Sequence, residues 1–157
     1  FIERDVGNGL ITGTALGSAT TALGYNEFGE LSLATNEYNS TDVLTTEYSR
    51  DALGRITRKQ ETTTSGTATI FYEYDLAGRL TDVRNYDGAF VVEPPMAEGS
   101  PRTVYSEEFG YDSNGNRTAV RTTGDLNDNQ NPPTSETTSA TYDDQDRMMT
   151  YGANQYA

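Results

Sequence analysis

The chain contains no cysteine and no histidine. Without cysteine there is no disulfide staple, no thiolate nucleophile and no thiolate metal site. Without histidine, Ser-His-Asp and Cys-His catalysis and imidazole-bound metals are excluded. Leu, Ile, Val and Phe together make up less than a fifth of the 157 residues. No apolar run approaches the length that spans a bilayer. No stretch shows helical periodicity, and no glycine-rich loop carries the lysine of a phosphate cradle. Positive charge is scarce: 11 Lys and Arg stand against 24 Asp and Glu, a net charge of −13. That balance argues against nucleic acid, whose affinity rests on cations meeting phosphate, and against an anionic membrane surface. Neither nucleic-acid binding nor membrane insertion is expected. No secretion leader is visible. The chain opens on Phe1 and ends in "YGANQYA", directly after a repeat, as expected of a piece of a longer protein.

Few aliphatic residues with high net charge is the composition of disordered chains. Against it stand 11 tyrosines, 15 glycines and a recurring phrase. The phrase is clearest in "YEYDLAGRL", Tyr72 to Leu80, and returns as "LGYNEFGEL", "EYSRDALGRI", "FGYDSNGNR" and "TYDDQDRM". Aligned on its acidic or amide position it gives Asn26, Asp51, Asp75, Asp112 and Asp143. Three residues later come Gly29, Gly54, Gly78, Gly115 and, in the last copy, Asp146, so that Gln145-Asp146 are expected to break the turn. A degenerate copy places Asp5 and Asn8 at these positions. Self-similarity at this spacing marks a stacked repeat architecture.

The local chemistry predicts strand, turn, strand. Before Asp75, Thr69, Phe71 and Glu73 alternate with Ile70, Tyr72 and Tyr74, a period of two in strand-favouring types. Asp opens a tight turn by accepting bonds from the backbone ahead of it, and the glycine takes the left-handed conformation, closing a hairpin with a bulge. "NYDG", Asn85 to Gly88, offers the next turn back. The fold class expected is all-β, a run of antiparallel hairpins. Tyr25, Tyr48, Tyr72, Tyr74, Tyr111 and Tyr142 are expected to pack. One hairpin alone buries too little, so each covers its neighbour. Two partners suit the arginine after the glycine (Arg55, Arg79, with Arg117 one place later): a carboxylate on the adjacent repeat, or a tyrosine ring.

These residues resemble the YD-repeat, or RHS-repeat, proteins. "YEYDLAGRLT" at Tyr72 to Thr81 and "YDSNGNRT" at Tyr111 to Thr118 carry the likeness best. The other copies depart from it: Arg50 replaces a tyrosine and Glu30 replaces the arginine. The resemblance covers residues 20 to 152 outside the insertions. It implies a long antiparallel sheet spiralling into a hollow shell, one domain over 1–157 with repeat cores near 20–35, 45–60, 69–88, 108–123 and 140–152. Family members include bacterial polymorphic toxins, shell subunits of insecticidal toxin complexes and the animal teneurins. Their implied roles are enclosing a toxic cargo, contacting cells and binding carbohydrate. A secreted or cell-surface location follows from the same likeness. The family's self-cleavage core has no matching motif here, so no catalytic residue is carried over.

The expected function is therefore a non-catalytic scaffold or shell wall. Its partners would be neighbouring YD repeats, an enclosed toxin or a cell-surface glycan. The alternative is an adhesive, carbohydrate-binding or filament-forming module, with tyrosines and amides forming a shallow sugar surface. Adjacent carboxylates, Glu107-Glu108 and Asp143-Asp144, do not make a glycosidase pair, because neighbours on a strand face opposite sides. Two insertions interrupt the repeats, 89–104 and 124–137. The second spaces Asp125, Asn127, Asn129, Asn131 and Glu136 as calcium-loop ligands, although Gln130 stands where such a loop needs glycine. Asn39-Ser40-Thr41 and Asn116-Arg117-Thr118 match the glycosylation pattern, the second inside a turn phrase. A wall cut at both edges is expected to be unstable alone.

Overall fold

The computed structural model describes residues 1–87, 102–124 and 135–156. They form thirteen strands and no helix: β1 (Ile2–Arg4), β2 (Ile11–Leu16), β3 (Ala19–Tyr25), β4 (Leu31–Tyr38), β5 (Thr41–Arg50), β6 (Ile56–Thr63), β7 (Gly66–Tyr74), β8 (Leu80–Asp87), β9 (Arg102–Tyr111), β10 (Arg117–Gly124), β11 (Ser135–Tyr142), β12 (Met148–Tyr151) and β13 (Asn154–Gln155). The chain is all-β, as its alternating Thr- and Tyr-rich runs predict.

The fold divides into two compact units inside β7. Phe1–Ile70 build the first, and Phe71–Tyr86 with the described residues from Arg102 onward build the second. Within the first unit, β1 to β6 lie side by side in chain order, each antiparallel to the next. Within the second, β8 lies beside β9, and β9 to β13 continue as an antiparallel meander.

Two kinds of turn alternate. One is the repeated phrase. The other is a two-residue connection: Gly17-Ser18 between β2 and β3, Asn39-Ser40 between β4 and β5, and Gly152-Ala153 between β12 and β13. Asn39 and Ser40 both have positive φ, 51° and 60°, the twist-matched hairpin turn. The first glycosylation pattern thus falls on a tight β-turn.

β8 runs through Asn85 and Tyr86 to Asp87, so "NYDG" does not turn at Asn85. The reason is packing. Tyr86 is 3% exposed and meets the Phe71 ring edge-on, with centroids 5.6 Å apart. Tyr86 and Ala140 are the only buried apolar side chains among the described residues. The expected packing tyrosines Tyr25, Tyr48, Tyr72, Tyr74, Tyr111 and Tyr142 are half-buried rather than core. Each unit is a single layer of sheet, so most side chains keep one open side. The polar residues Thr46, Thr69 and Asp82 are buried among the strands.

Candidate functional site

The repeated turns are the most organised chemistry in the chain. In the third turn, Asp51 N–H donates to the Arg55 carbonyl and Gly54 N–H to the Asp51 carbonyl, both at 3.0 Å. Asp51 Oδ1 accepts from Leu53 N–H and Arg55 N–H, and Oδ2 accepts from Arg55 Nε at 2.7 Å. The Asp75–Arg79 and Asp143–Arg147 turns repeat the arrangement. Asp112 does the same with Asn116 in place of arginine. Arg55, Arg79 and Arg147 therefore pair with the aspartate of their own turn. Of the two expected partners, a carboxylate of the same turn stands in for one on the adjacent repeat, because the turn brings residue i+4 back over residue i.

These bonds hold the carboxylates below the ordinary range. For Asp51 the main cause is the Arg55 side chain, and for Asp75 and Asp143 it is the backbone N–H of Arg79 and Arg147. At Asp112 partial burial pushes upward, and the Asn116 side chain with three backbone N–H groups outweighs it.

Two copies differ from the expected phrase. The first turn is one residue longer: Gly9, not Asn8, takes the positive φ of 75° and donates to the Asp5 carbonyl. The sixth turn is intact. Asp146 adopts φ 59° and donates to the Asp143 carbonyl at 3.0 Å, so Gln145-Asp146 do not break it. Aspartate tolerates the left-handed region better than most residues. Its carboxylate also accepts from Asn114 at 2.9 Å and Asn116 at 2.7 Å.

A bulge follows every repeated turn whose register is defined. The unpaired residue stands three after the left-handed one: Thr12, Ser32, Thr57, Thr118 and Met149.

In four copies the residue before the turn-opening Asp or Asn reaches back to the preceding turn. Tyr25 Oη donates to the Ile11 carbonyl, Tyr111 Oη to the Leu80 carbonyl and Tyr142 Oη to the Arg117 carbonyl, at 2.7, 2.7 and 3.0 Å. Arg50, at the same position, donates to the Leu31 carbonyl at 3.3 Å. Each acceptor lies two residues past the left-handed position. The residue just past that position leans the other way, onto the next turn. A Cβ on Gly29 would sit 3.6 Å from Leu10 Cδ1, on Gly54 2.6 Å from Glu30 Oε1, and on Gly115 3.7 Å from the Arg79 guanidinium. Arg79 also lies 4.6 Å over the Tyr111 ring and donates to the Asp112 carbonyl. Arg117, one place later than the other arginines, lies 5.7 Å from the Phe109 ring. The stacking of Arg79 on a tyrosine ring is one of the two partners the sequence offers; the hydroxyl ties are not read there, although Tyr immediately before Asp is their signal.

Beside the second and third turns lies an open groove of about 460 Å³, lined by Asn26, Phe28, Glu30, Tyr48, Arg50 and Asp51 among others. Phe28 and Leu53 line it as well, 79% and 76% exposed. A second polar cluster lies on β7 and β8: Asp82, 8% exposed, pairs with Arg84 Nε at 2.9 Å, and Arg84 also meets Glu73 at 3.4 Å. Burial pushes the Asp82 carboxyl up. Of the carboxylate pairs, Glu107 accepts from the Tyr105 hydroxyl and Glu108 pairs with Arg121. No trio of acidic side chains positioned for a metal ion occurs among the described residues. Of the calcium-spaced positions, Asp125, Asn127, Asn129 and Asn131 lie outside the described residues, and Glu136 lies on β11 opposite Thr122. The insertion 89–104 is described only from Arg102, where β9 begins.

No curated protein matches this chain. Among solved structures it is similar to a crystal structure of TcdB2-TccC3-Cdc42, with 15% identity, 90% of this chain and 10% of that chain covered, and a TM-score of 0.31. A crystal structure of TcdB2-TccC3 without its hypervariable C-terminal region gives 16% identity, 92% and 10% coverage, and a TM-score of 0.30. The chain thus spans about a tenth of the length of those chains. The family model described as Teneurin YD-shell matches residues 2–157, and the chain belongs to that family.

Proposed function

We propose that the chain is a non-catalytic length of wall in a secreted or cell-surface shell that encloses a cargo domain. The single layer of sheet supports this reading most directly. Among the described residues, four hairpins tie to the hairpin before them through a tyrosine or arginine reaching back, and others lean a side chain onto the next turn. Such a strip lengthens by adding copies and buries little of either face, which suits a wall better than a globule. The chemistry is consistent with it: no histidine or cysteine is present, and the aspartates of the turns are held as anions by their own turns. The test is protease protection in a longer protein carrying this segment and a downstream domain. Slow digestion of that domain inside the intact protein, with fast digestion once separated, supports the shell. Equal rates in both settings sink it.

The groove beside the second and third turns favours a second reading, a shallow glycan site. An exposed Phe28 ring beside Asn26, Glu30 and Asp51 offers stacking and hydroxyl partners together. Binding on a glycan array that Phe28→Ala abolishes would support it, and binding unaffected by that change would remove the groove from consideration.

A further inference from the structure

Three departures from the repeat meet at one junction. Asn26 stands where the five other turns carry aspartate, Glu30 where three carry arginine, and Arg50 where four carry tyrosine and the first carries Arg4. They are in mutual reach. Asn26 Nδ2 donates to Glu30 Oε2 at 2.8 Å, and Arg50 Nε lies 3.7 Å from the same oxygen. In the consensus junction the equivalent contacts are Arg79 Nε donating to Asp75 Oδ2 at 2.7 Å, and Arg79 lying 4.6 Å over the Tyr111 ring. The donor and acceptor inside the turn have exchanged places, and the cation has moved to the other side of the junction. Arg50 meanwhile keeps the tyrosine's tie to the preceding turn, through the Leu31 carbonyl, and adds one to the Gly54 carbonyl. Changing Asn26 or Glu30 alone to the residue of the other turns sets like charges against each other. An aspartate at position 26 would face the Glu30 carboxylate, and an arginine at position 30 would face Arg50.

We propose that Asn26, Glu30 and Arg50 form a matched set that specifies which hairpin stacks on which. A chain of near-identical hairpins has near-degenerate ways to stack, and slipping by one copy preserves most backbone pairing. The set discriminates by repulsion as well as attraction. The hairpin carrying Arg50, brought against a turn of the Arg55 or Arg79 kind, opposes two guanidinium groups. A hairpin carrying tyrosine, brought against Glu30, loses the cation over its ring. The Arg50 and Glu30 side chains are 21% and 33% exposed, so solvent screens the pair only in part.

The test is a double-mutant cycle in the full chain with Glu30→Arg, Arg50→Tyr and both together. Each single change is expected to lower the melting midpoint by roughly 2–4 °C. The double change is expected to recover at least half of the summed loss, and adding Asn26→Asp to it to recover more. Refolding after dilution from urea gives a second readout: Glu30→Arg slows it or lowers its yield, and the double change restores it. Additive losses in the double variant, or a Glu30→Arg chain that melts and refolds like the parent, overturn the proposal. If Glu30→Arg does not fold, Glu30→Gln and Arg50→Gln form the cycle. Coupled losses then support the matched set and additive losses overturn it.

Discussion

Tyr111 donates its hydroxyl to the carbonyl of Leu80 at 2.7 Å, across 31 residues of sequence. The bond ties the entry of one turn to the exit of the turn before it. Arg79 covers the ring of the same tyrosine, so one side chain serves both neighbours. Tyr111→Phe is expected to cost about 1 kcal/mol, the usual net value of a half-buried hydrogen bond. Tyr111→Leu should cost more, because the ring under Arg79 is lost as well. Urea unfolding of both variants checks the order, and equal losses would assign the whole effect to the hydroxyl.

Glycines at equivalent places should not respond equally to alanine. Both Gly54 and Gly29 have positive φ, 78° and 76°, so both substitutions carry about 1–2 kcal/mol of left-handed strain. Only at Gly54 would the new methyl meet a neighbour at 2.6 Å, the Glu30 carboxylate. Gly54→Ala is therefore expected to be the more destabilising of the two. Combining it with Glu30→Ala should bring it close to Gly29→Ala, as measured by melting midpoints.

Acid should weaken the turns. Asp51, Asp75, Asp112 and Asp143 are all held below the ordinary carboxylate value of 3.8. A carboxylate depressed in the fold contributes stability that is complete above its unfolded value. That stability is lost as pH falls through the folded value. The loss is thus expected below about pH 4. Asp82 has the opposite sign: burial raises it, so its contribution is present below 3.8 and lost as pH rises through its folded value. Urea midpoints from pH 7 down to 2.5 should fall at the acid end. Asp82→Asn should steepen that fall by removing the opposing group, and a profile unchanged by it would contradict this sign.

Exposure should grade the turn arginines. The Arg147 side chain is 72% exposed and Arg79 34%, although both make the same bonds to their aspartates. Arg147→Gln is expected to shift stability by no more than a few tenths of a kcal/mol, as exposed pairs do. Arg79→Gln should shift it more, since it also abandons the Tyr111 ring and the Asp112 carbonyl. Thermal melts in low and high salt separate the two, with Arg147 the more salt-sensitive fraction of a small effect.

The sequence by itself determined what is local. Strand alternation, the aspartate that opens each turn and the left-handed glycine that closes it are set by residues within five positions of one another. Backbone sterics and short-range hydrogen bonds suffice to read them. The sixth turn escaped that reading because aspartate, like glycine, can take positive φ when its carboxylate finds donors, here Asn114 and Asn116. Tyr86 escaped it because Asn-Tyr-Asp-Gly is good turn chemistry, and burial against Phe71 outweighs it. Only the tertiary structure decided what lies between copies. The reach of Tyr111 to Leu80, the pairing of Arg50 with Glu30 and the space above Gly54 join residues 20 to 31 positions apart. Their meaning depends on which hairpins lie side by side. In units one sheet layer thick, with almost no buried apolar core among the described residues, those junction contacts are where the stacking order is written.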